Sequence, residues 1–217
     1  TYLATLILGE KTSTGDREGE IVQKEDVPPL NKEIIERVFA SFLGDSYQVP
    51  PMTSAIKVNG VALYKLAHKG IEMERKERPI HVDCLELVSI YKNEINFLST
   101  VSTGTYIRVL GEDIAKRLGT IGHLKSLKRL SIGNFSLENA VDEDSVKEES
   151  IVDPTPFITS MKHYEINPSL EKAVKDGKKM ILPNDYGEKV LLTVNNKAIS
   201  VYQKESGVTY TSLRGLF

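Results

Sequence analysis

Ser102-Thr-Gly-Thr-Tyr106-Ile-Arg108, running on into Val109-Leu-Gly-Glu-Asp-Ile-Ala-Lys-Arg-Leu118, forms a strand-to-helix junction in mid-chain. Upstream, Ile80–Tyr91 and Glu94–Ser102 read as two strands turning at Lys92-Asn93, with Ile80, Val82 and Cys84 alternating with His81 and Asp83. Downstream, Ile107, Leu110, Ile114 and Leu118 fall on one side of a helix over Arg108–Leu118, which Gly119 ends. Gly104 lets the backbone approach closely at the junction. An aromatic and an arginine two residues apart at a strand end can both point into a cleft. There Arg108 could hold a catalytic carboxylate ionised, since a neighbouring cation lowers an acid's pKa by about 1–3 units. A core tyrosine beside a structural salt bridge fits the same residues equally well.

Working outward, Tyr2–Leu8 is an apolar strand ended by Gly9, and Thr12–Gly19 is turn chemistry. Ile34, Ile35, Val38, Phe39, Phe42 and Leu43 recur at helical spacing after Pro28-Pro29, with Asn31 as N-cap and Gly44 as stop. This helix is core scaffolding. Val49-Pro-Pro-Met52 reads as extended chain, and Val61–Lys69 as a short helix stopped by Gly70. Beyond the junction, Gly122–Arg129 is expected to be a second short helix. Leu124, Leu127 and Leu130 at steps of three would form its buried face, leaving Lys125, Lys128 and Arg129 free for phosphates. An amphipathic surface helix without a ligand has the same pattern. Strands near Lys189–Val194 and Ala198–Gln203 suggest a small β appendage. These elements predict an α+β protein. The first domain would run over residues 1–155 and a β-rich module over 156–217. The acidic stretch with Pro154 and Pro156 marks the boundary.

Composition narrows the function. No apolar run approaches the roughly 20 residues that span a bilayer, so no membrane partner is expected. Cys84 is the only cysteine, which excludes an internal disulfide and a Cys-rich zinc site. The four histidines show no ligand spacing, so no metal is expected, and a reducing cytoplasm is the simplest location. Net charge is −2, but charge is segregated. Ile114–Leu137 contains no acid and carries Lys116, Arg117, Lys125, Lys128 and Arg129. An acidic stretch from Glu138 to Asp153 follows. By charge alone this is either a nucleic-acid footprint or two solvated surfaces. Gln48-Val-Pro-Pro-Met-Thr-Ser-Ala-Ile-Lys57-Val-Asn-Gly60, continuing through Tyr64, Lys65, His68 and Lys69 to Gly70, could lay cations and an aromatic ring along a phosphate backbone. An ordinary surface loop and helix would look similar.

Five ordered blocks together resemble the TruB family of tRNA pseudouridine synthases. They are Tyr2–Gly19, Gln48–Gly60, Leu63–Gly70, Gly104-Thr-Tyr-Ile-Arg108 and Leu127-Lys-Arg-Leu130, and they cover about residues 1–135. The resemblance implies a pseudouridine synthase fold, in which the first domain holds a mainly antiparallel sheet flanked by helices, and isomerisation of one uridine in the tRNA T-loop. The N-glycosidic bond breaks and the ring rejoins through C5, without metal or organic cofactor. Carried over by position, Tyr2 is similar to the tyrosine that contacts the flipped base and Arg108 to the arginine paired with the catalytic aspartate. Tyr106 is that arginine's motif neighbour, and Leu127 lines the base pocket. Residues 48–78 resemble an RNA-gripping insertion, in which Lys57, Lys65 and Lys69, with Arg129 beyond it, would meet the T-arm. A single copy is expected to act.

The family's nucleophilic aspartate lies in a Gly-Thr-Leu-Asp-Pro type segment upstream of the tyrosine matched by Tyr2, and these 217 residues contain no such segment. The nucleophile is therefore expected upstream of Thr1, and Asp16 is expected to be a turn residue. Two further readings follow: a T-arm-binding fragment that is catalytically inert, and a scaffold subunit of a guide-RNA-directed pseudouridylation complex.

Overall fold

The computed structural model describes residues 1–58 and 60–216. They divide into two compact units, Thr1–Glu138 and Asn139–Phe217.

The first unit is built on five antiparallel strands: β1 (Tyr2–Leu8), β4 (Gly44–Gln48), β7 (Arg78–Tyr91), β8 (Glu94–Val101) and β9 (Gly122–Arg129). Their order is β4-β7-β8-β1-β9. The expected turn between β7 and β8 falls at Lys92, whose φ is +55°. Strand alternation puts Ala4, Leu6 and Leu8 of β1 on one face, with Ile95 and Phe97 of β8 beside them. Helices α1 (Lys32–Ala40) and α3 (Ile107–Arg117) cover that face with Ile35, Phe39, Leu110 and Ile114. Asn31 caps α1 as expected, its side chain accepting from Ile34 N at 2.9 Å. The helix itself stops at Ala40, so Phe42 and Leu43 lie beyond it. Gly122 permits the close seating of α3 against β9. A Cβ there would sit 2.8 Å from both the Ala115 Cβ and the Ile7 carbonyl oxygen.

Short pieces decorate this sheet. Strands β2 (Glu10–Thr12) and β3 (Ile21–Lys24) flank the Thr12–Gly19 turn. Strands β5 (Lys57–Val58) and β6 (Val61–Ala62) lead into α2 (Leu63–Ala67), so the helix expected over Val61–Lys69 is a single turn and a half. Asn59 lies outside the described residues. Gln48 and Arg78 are register partners in β4 and β7, so segment 48–78 leaves and re-enters the sheet at one point. A small ribbon, β10 (Ser131–Ile132) with β11 (Phe135–Ser136), follows β9.

One expected element is wrong in kind. Gly122–Arg129 is the edge strand β9, not a helix. A β-bulge explains the error: Leu6 faces Leu124 and Thr5 faces Ser126, so Lys125 is the extra residue. The insertion keeps Leu124 and Leu127 on one face three positions apart, a step that imitates a helical stripe.

The second unit stands on its own sheet. Strands β12 (Lys162–Glu165), β13 (Met180–Ile181), β14 (Lys189–Val194), β15 (Lys197–Ser206) and β16 (Thr209–Gly215) run in the order β12-β14-β15-β16-β13, with α4 (Glu171–Lys175) packed on it. Tyr202 and Tyr210 are fully buried in its core, and the Tyr202 hydroxyl donates to Lys178 O at 2.8 Å. The acidic stretch from Asn139 to Asp153, placed by sequence at the end of the first domain, groups with this unit. Ala198 N donates to Thr155 Oγ1, drawing the end of the stretch onto β15. Among the described residues no helix is long and apolar enough to cross a membrane.

Candidate active site

Arg108 occupies the first turn of α3, directly after the strand-end loop, so its side chain leaves the helix toward the neighbouring turns. Its Nη1 donates to Thr14 O and to Asp16 Oδ2, each at 3.0 Å, and its Nη2 donates to Thr53 O at 3.0 Å. Three of the five guanidinium N–H groups are thereby used, and the other two have no partner among the described residues. The Arg108 and Asp16 side chains are 23% and 28% exposed, so solvent screens their pairing less than that of a surface ion pair. Asp16 is also the turn residue that sequence predicts. Its Oδ1 accepts from Thr14 Oγ1 at 2.7 Å and from Glu18 N at 3.1 Å. One carboxylate therefore closes the turn with one oxygen and holds the arginine with the other.

A cavity of about 340 Å³ opens over this pair, lined by Asp16, Arg108, Leu124 and Leu127 among others. Leu127 is 46% exposed, unusual for a leucine on the core side of a sheet. Register places Tyr2 opposite Arg129 and Ala4 opposite Leu127, so Tyr2, Leu127 and Arg129 share the face that α3 covers. Arg129 Nε donates to the Tyr2 hydroxyl at 3.1 Å, and its guanidinium lies 5.3 Å from the ring centroid. This cation fixes the phenol in place. Arg108, Tyr2 and Leu127 thus lie on one side of the sheet, with Tyr2 outside the residues that line the cavity.

On the far side of Arg108, a second cavity of about 440 Å³ separates the Thr12–Gly15 turn from Val49–Thr53. Glu112, one helical turn beyond Arg108, lines it, and burial pushes its carboxyl above the usual glutamate range.

Residues 1–107 match the family model described as TruB family pseudouridylate synthase (N terminal domain). The chain is 42% identical over 141 residues to a tRNA pseudouridine synthase B of Psychrobacter cryohalolentis, covering 65% of this chain and 39% of that one. It is 39% identical over 203 residues to the tRNA pseudouridine synthase B of Clostridium kluyveri, covering 94% and 66%. The chain belongs to the TruB family. It spans from about two-fifths to about two-thirds of the length of these relatives. A solved structure titled a Cbf5-Nop10-Gar1 complex superposes with a TM-score of 0.67 at 19% identity, covering all of this chain and 66% of that one. At that identity it shows the shared pseudouridine synthase fold alone.

Within this TruB-family frame the sequence-selected residues divide. Arg108 and Leu127 line one cavity, and Tyr2 and Arg129 pair with each other on the same face of the sheet but do not line it. Tyr106 takes part through its backbone, being the N-cap of α3, and its N–H and C=O are both held by the Gln48 side chain. Lys57, Lys65 and Lys69 are exposed on segment 48–78 and pair with no carboxylate among the described residues. Two cations expected to be free are engaged: Lys125 is tied to Glu94 at 2.6 Å and Arg129 to Tyr2. Strand alternation, in place of the expected helix, turns Lys128 to the opposite face from Arg129. Sequence reasoning missed Asp16 as the partner of Arg108. The Asx-turn signal was visible, but its second oxygen serves a residue 92 positions away. It also missed Gln48, whose only signal was its place at the head of the Pro-Pro block.

Proposed function

We propose that this chain forms the RNA-binding body and the arginine–tyrosine part of the active face of an enzyme that isomerises a T-loop uridine of tRNA to pseudouridine. The observation that carries the proposal is Arg108. It is a fixed, partly buried guanidinium with two donors to spare, at the floor of an open cavity whose rim carries an exposed leucine. A base flipped out of the loop costs a few kcal/mol, and stacking on an aromatic side chain returns about 1–3 kcal/mol. Tyr2, steadied by Arg129, is an aromatic on this face that is not fully buried. Leu127 supplies apolar contact to the base. The two remaining Arg108 donors face the negative charge that develops as the glycosidic bond breaks, or hold a second carboxylate that attacks the sugar or ring.

Lys57, Lys65 and Lys69 meet T-arm phosphates, and the β module from residue 156 adds a second RNA contact. The enzyme acts as a monomer in the cytoplasm, and the chemistry uses neither metal nor organic cofactor, so a chelator leaves turnover unchanged. Asp16 is a poor candidate for nucleophile, because both its oxygens are occupied, by Thr14 and Glu18 on one side and Arg108 on the other. The 217 residues alone should therefore retain an unmodified T-arm hairpin in preference to a scrambled one and form no pseudouridine. Equal binding of both hairpins overturns the RNA assignment. Pseudouridine formed by the 217 residues alone makes Asp16 the nucleophile.

A further inference from the structure

Gln48 is the last residue of edge strand β4, and it is 4% exposed. A buried primary amide needs partners for both ends of its head group, and it finds both on one residue. Tyr106 N donates to Gln48 Oε1 at 2.8 Å, and Gln48 Nε2 donates to Tyr106 O at 3.2 Å. Tyr106 is the N-cap of α3 and makes no side-chain cap of its own, and its carbonyl also accepts the first helical bond from Leu110 N at 3.0 Å. The amide of Gln48 therefore fixes the backbone from which Arg108, two residues on, extends.

The same residue stands at the root of segment 48–78, paired with Arg78 where that segment returns. Five positions beyond Gln48, Thr53 O accepts from Arg108 Nη2. Any displacement of the segment by RNA thus pulls on the Arg108 guanidinium through Thr53, while Gln48 pins the backbone of the same arginine.

We infer that Gln48 is a positioning residue for Arg108: its amide clamps the N-terminus of α3 so that the arginine keeps its place while segment 48–78 moves against RNA. This rests on the proposed function for its consequence in turnover, but not for the clamp itself. The clamp is tested first on the protein alone, by amide hydrogen exchange in the variant Gln48→Met, which keeps volume and removes both bonds. Exchange at Tyr106, whose N–H loses its acceptor, and at Leu110, which bonds the Tyr106 carbonyl, should accelerate about 10- to 100-fold, with exchange in β1 and β8 unchanged. Unchanged exchange at Tyr106 overturns the inference, as does a uniform rise across the unit, which would mean simple loss of fold.

The second readout is Gln48→Glu in the complete enzyme with T-arm RNA. An ionised glutamate accepts from Tyr106 N but repels Tyr106 O, whereas a protonated one donates to that carbonyl as glutamine does. The ratio of variant to parent single-turnover rate should rise as pH falls, from about a tenfold deficit toward parity, with RNA affinity unchanged throughout. Asp45, Asp113, Lys116 and Arg117 line the cavity beside Gln48 in both proteins, so the ratio to the parent cancels their titration. A ratio flat with pH, or affinity falling in step with rate, overturns the inference. Should the parent enzyme form no pseudouridine, the functional reading fails, and exchange at Tyr106 alone decides the role of Gln48.

Discussion

Two irregular segments meet at Arg108, and they are held in opposite ways. The Thr12–Gly19 turn is closed by its own side chains: Thr12 Oγ1 donates to Asp16 O at 2.6 Å, Thr14 Oγ1 to Asp16 Oδ1, and Glu20 N to Ser13 Oγ. It is also stitched to the sheet, with Leu124 N donating to Gly15 O and Arg17 N to Leu124 O. Residues 49–77 carry internal bonds such as Tyr64 N to Ser54 O and Arg75 Nη1 to Pro50 O. Among the described residues, their one hydrogen bond to the rest of the unit is that from Arg108 to Thr53 O. One loop is a wall, and the other a flap rooted at Gln48 and Arg78 that touches the arginine through Thr53. On the proposed function, segment 48–78 would move against RNA while the turn, with Gln48, keeps the arginine in place.

The largest test of this contrast is Arg108→Ala in the complete enzyme. If Arg108 stabilises developing charge as proposed, its loss should lower turnover by about 10²–10³, with tRNA affinity largely kept. In the protein alone, exchange should quicken through 49–58 and stay slow in the turn. Equal loosening of both would erase the distinction. Next comes the triple variant of Lys57, Lys65 and Lys69 to Ala. Removing up to three lysine–phosphate ion pairs should flatten the slope of log affinity against log salt by about 2–3, and the melting temperature should not move. An unchanged salt slope would deny the flap its grip on RNA. Smaller is Thr12→Val in the wall. Thr12 is 3% exposed, and losing its bond to Asp16 O should cost about 1 kcal/mol of stability, with exchange in 49–58 unaffected.

The smallest effect separates the two by pH. Burial raises the folded-state pKa of Glu112 above its unfolded value. Its ionised form therefore opposes folding at neutral pH, and that penalty fades as pH falls through the raised pKa. Glu112→Gln should add less than about 1 kcal/mol at neutral pH, since the group is only partly buried. The gain should vanish in mild acid. A gain independent of pH would mean that packing, not charge, governs this wall of the second cavity.

The sequence revealed the wall and the helices more fully than the site they make. The Asn31 cap, the Lys92-Asn93 turn and the apolar side of α3 are local signals, fixed by residues within a few positions of one another. The strand at Gly122–Arg129 was hidden by its bulge, because one extra residue gave Leu124 and Leu127 the spacing of a helix. The Arg108 partnership was hidden by distance and by double use. Asp16 satisfies its local turn with one oxygen, so nothing nearby hints at the second. Tyr2 and Arg129 are cross-strand neighbours 127 residues apart, a pairing that only the β1–β9 register creates.

The most direct measurement places the base itself. T-arm hairpins bearing 5-iodouridine at each loop position in turn, irradiated on the complete enzyme and mapped by mass spectrometry, report which side chains touch the extruded ring. One loop position should give an adduct on Tyr2, and that adduct should be lost in Tyr2→Leu without loss of RNA binding. Adducts confined to the second unit, or to Leu3 and Leu98 on the opposite face of the sheet, would contradict that placement.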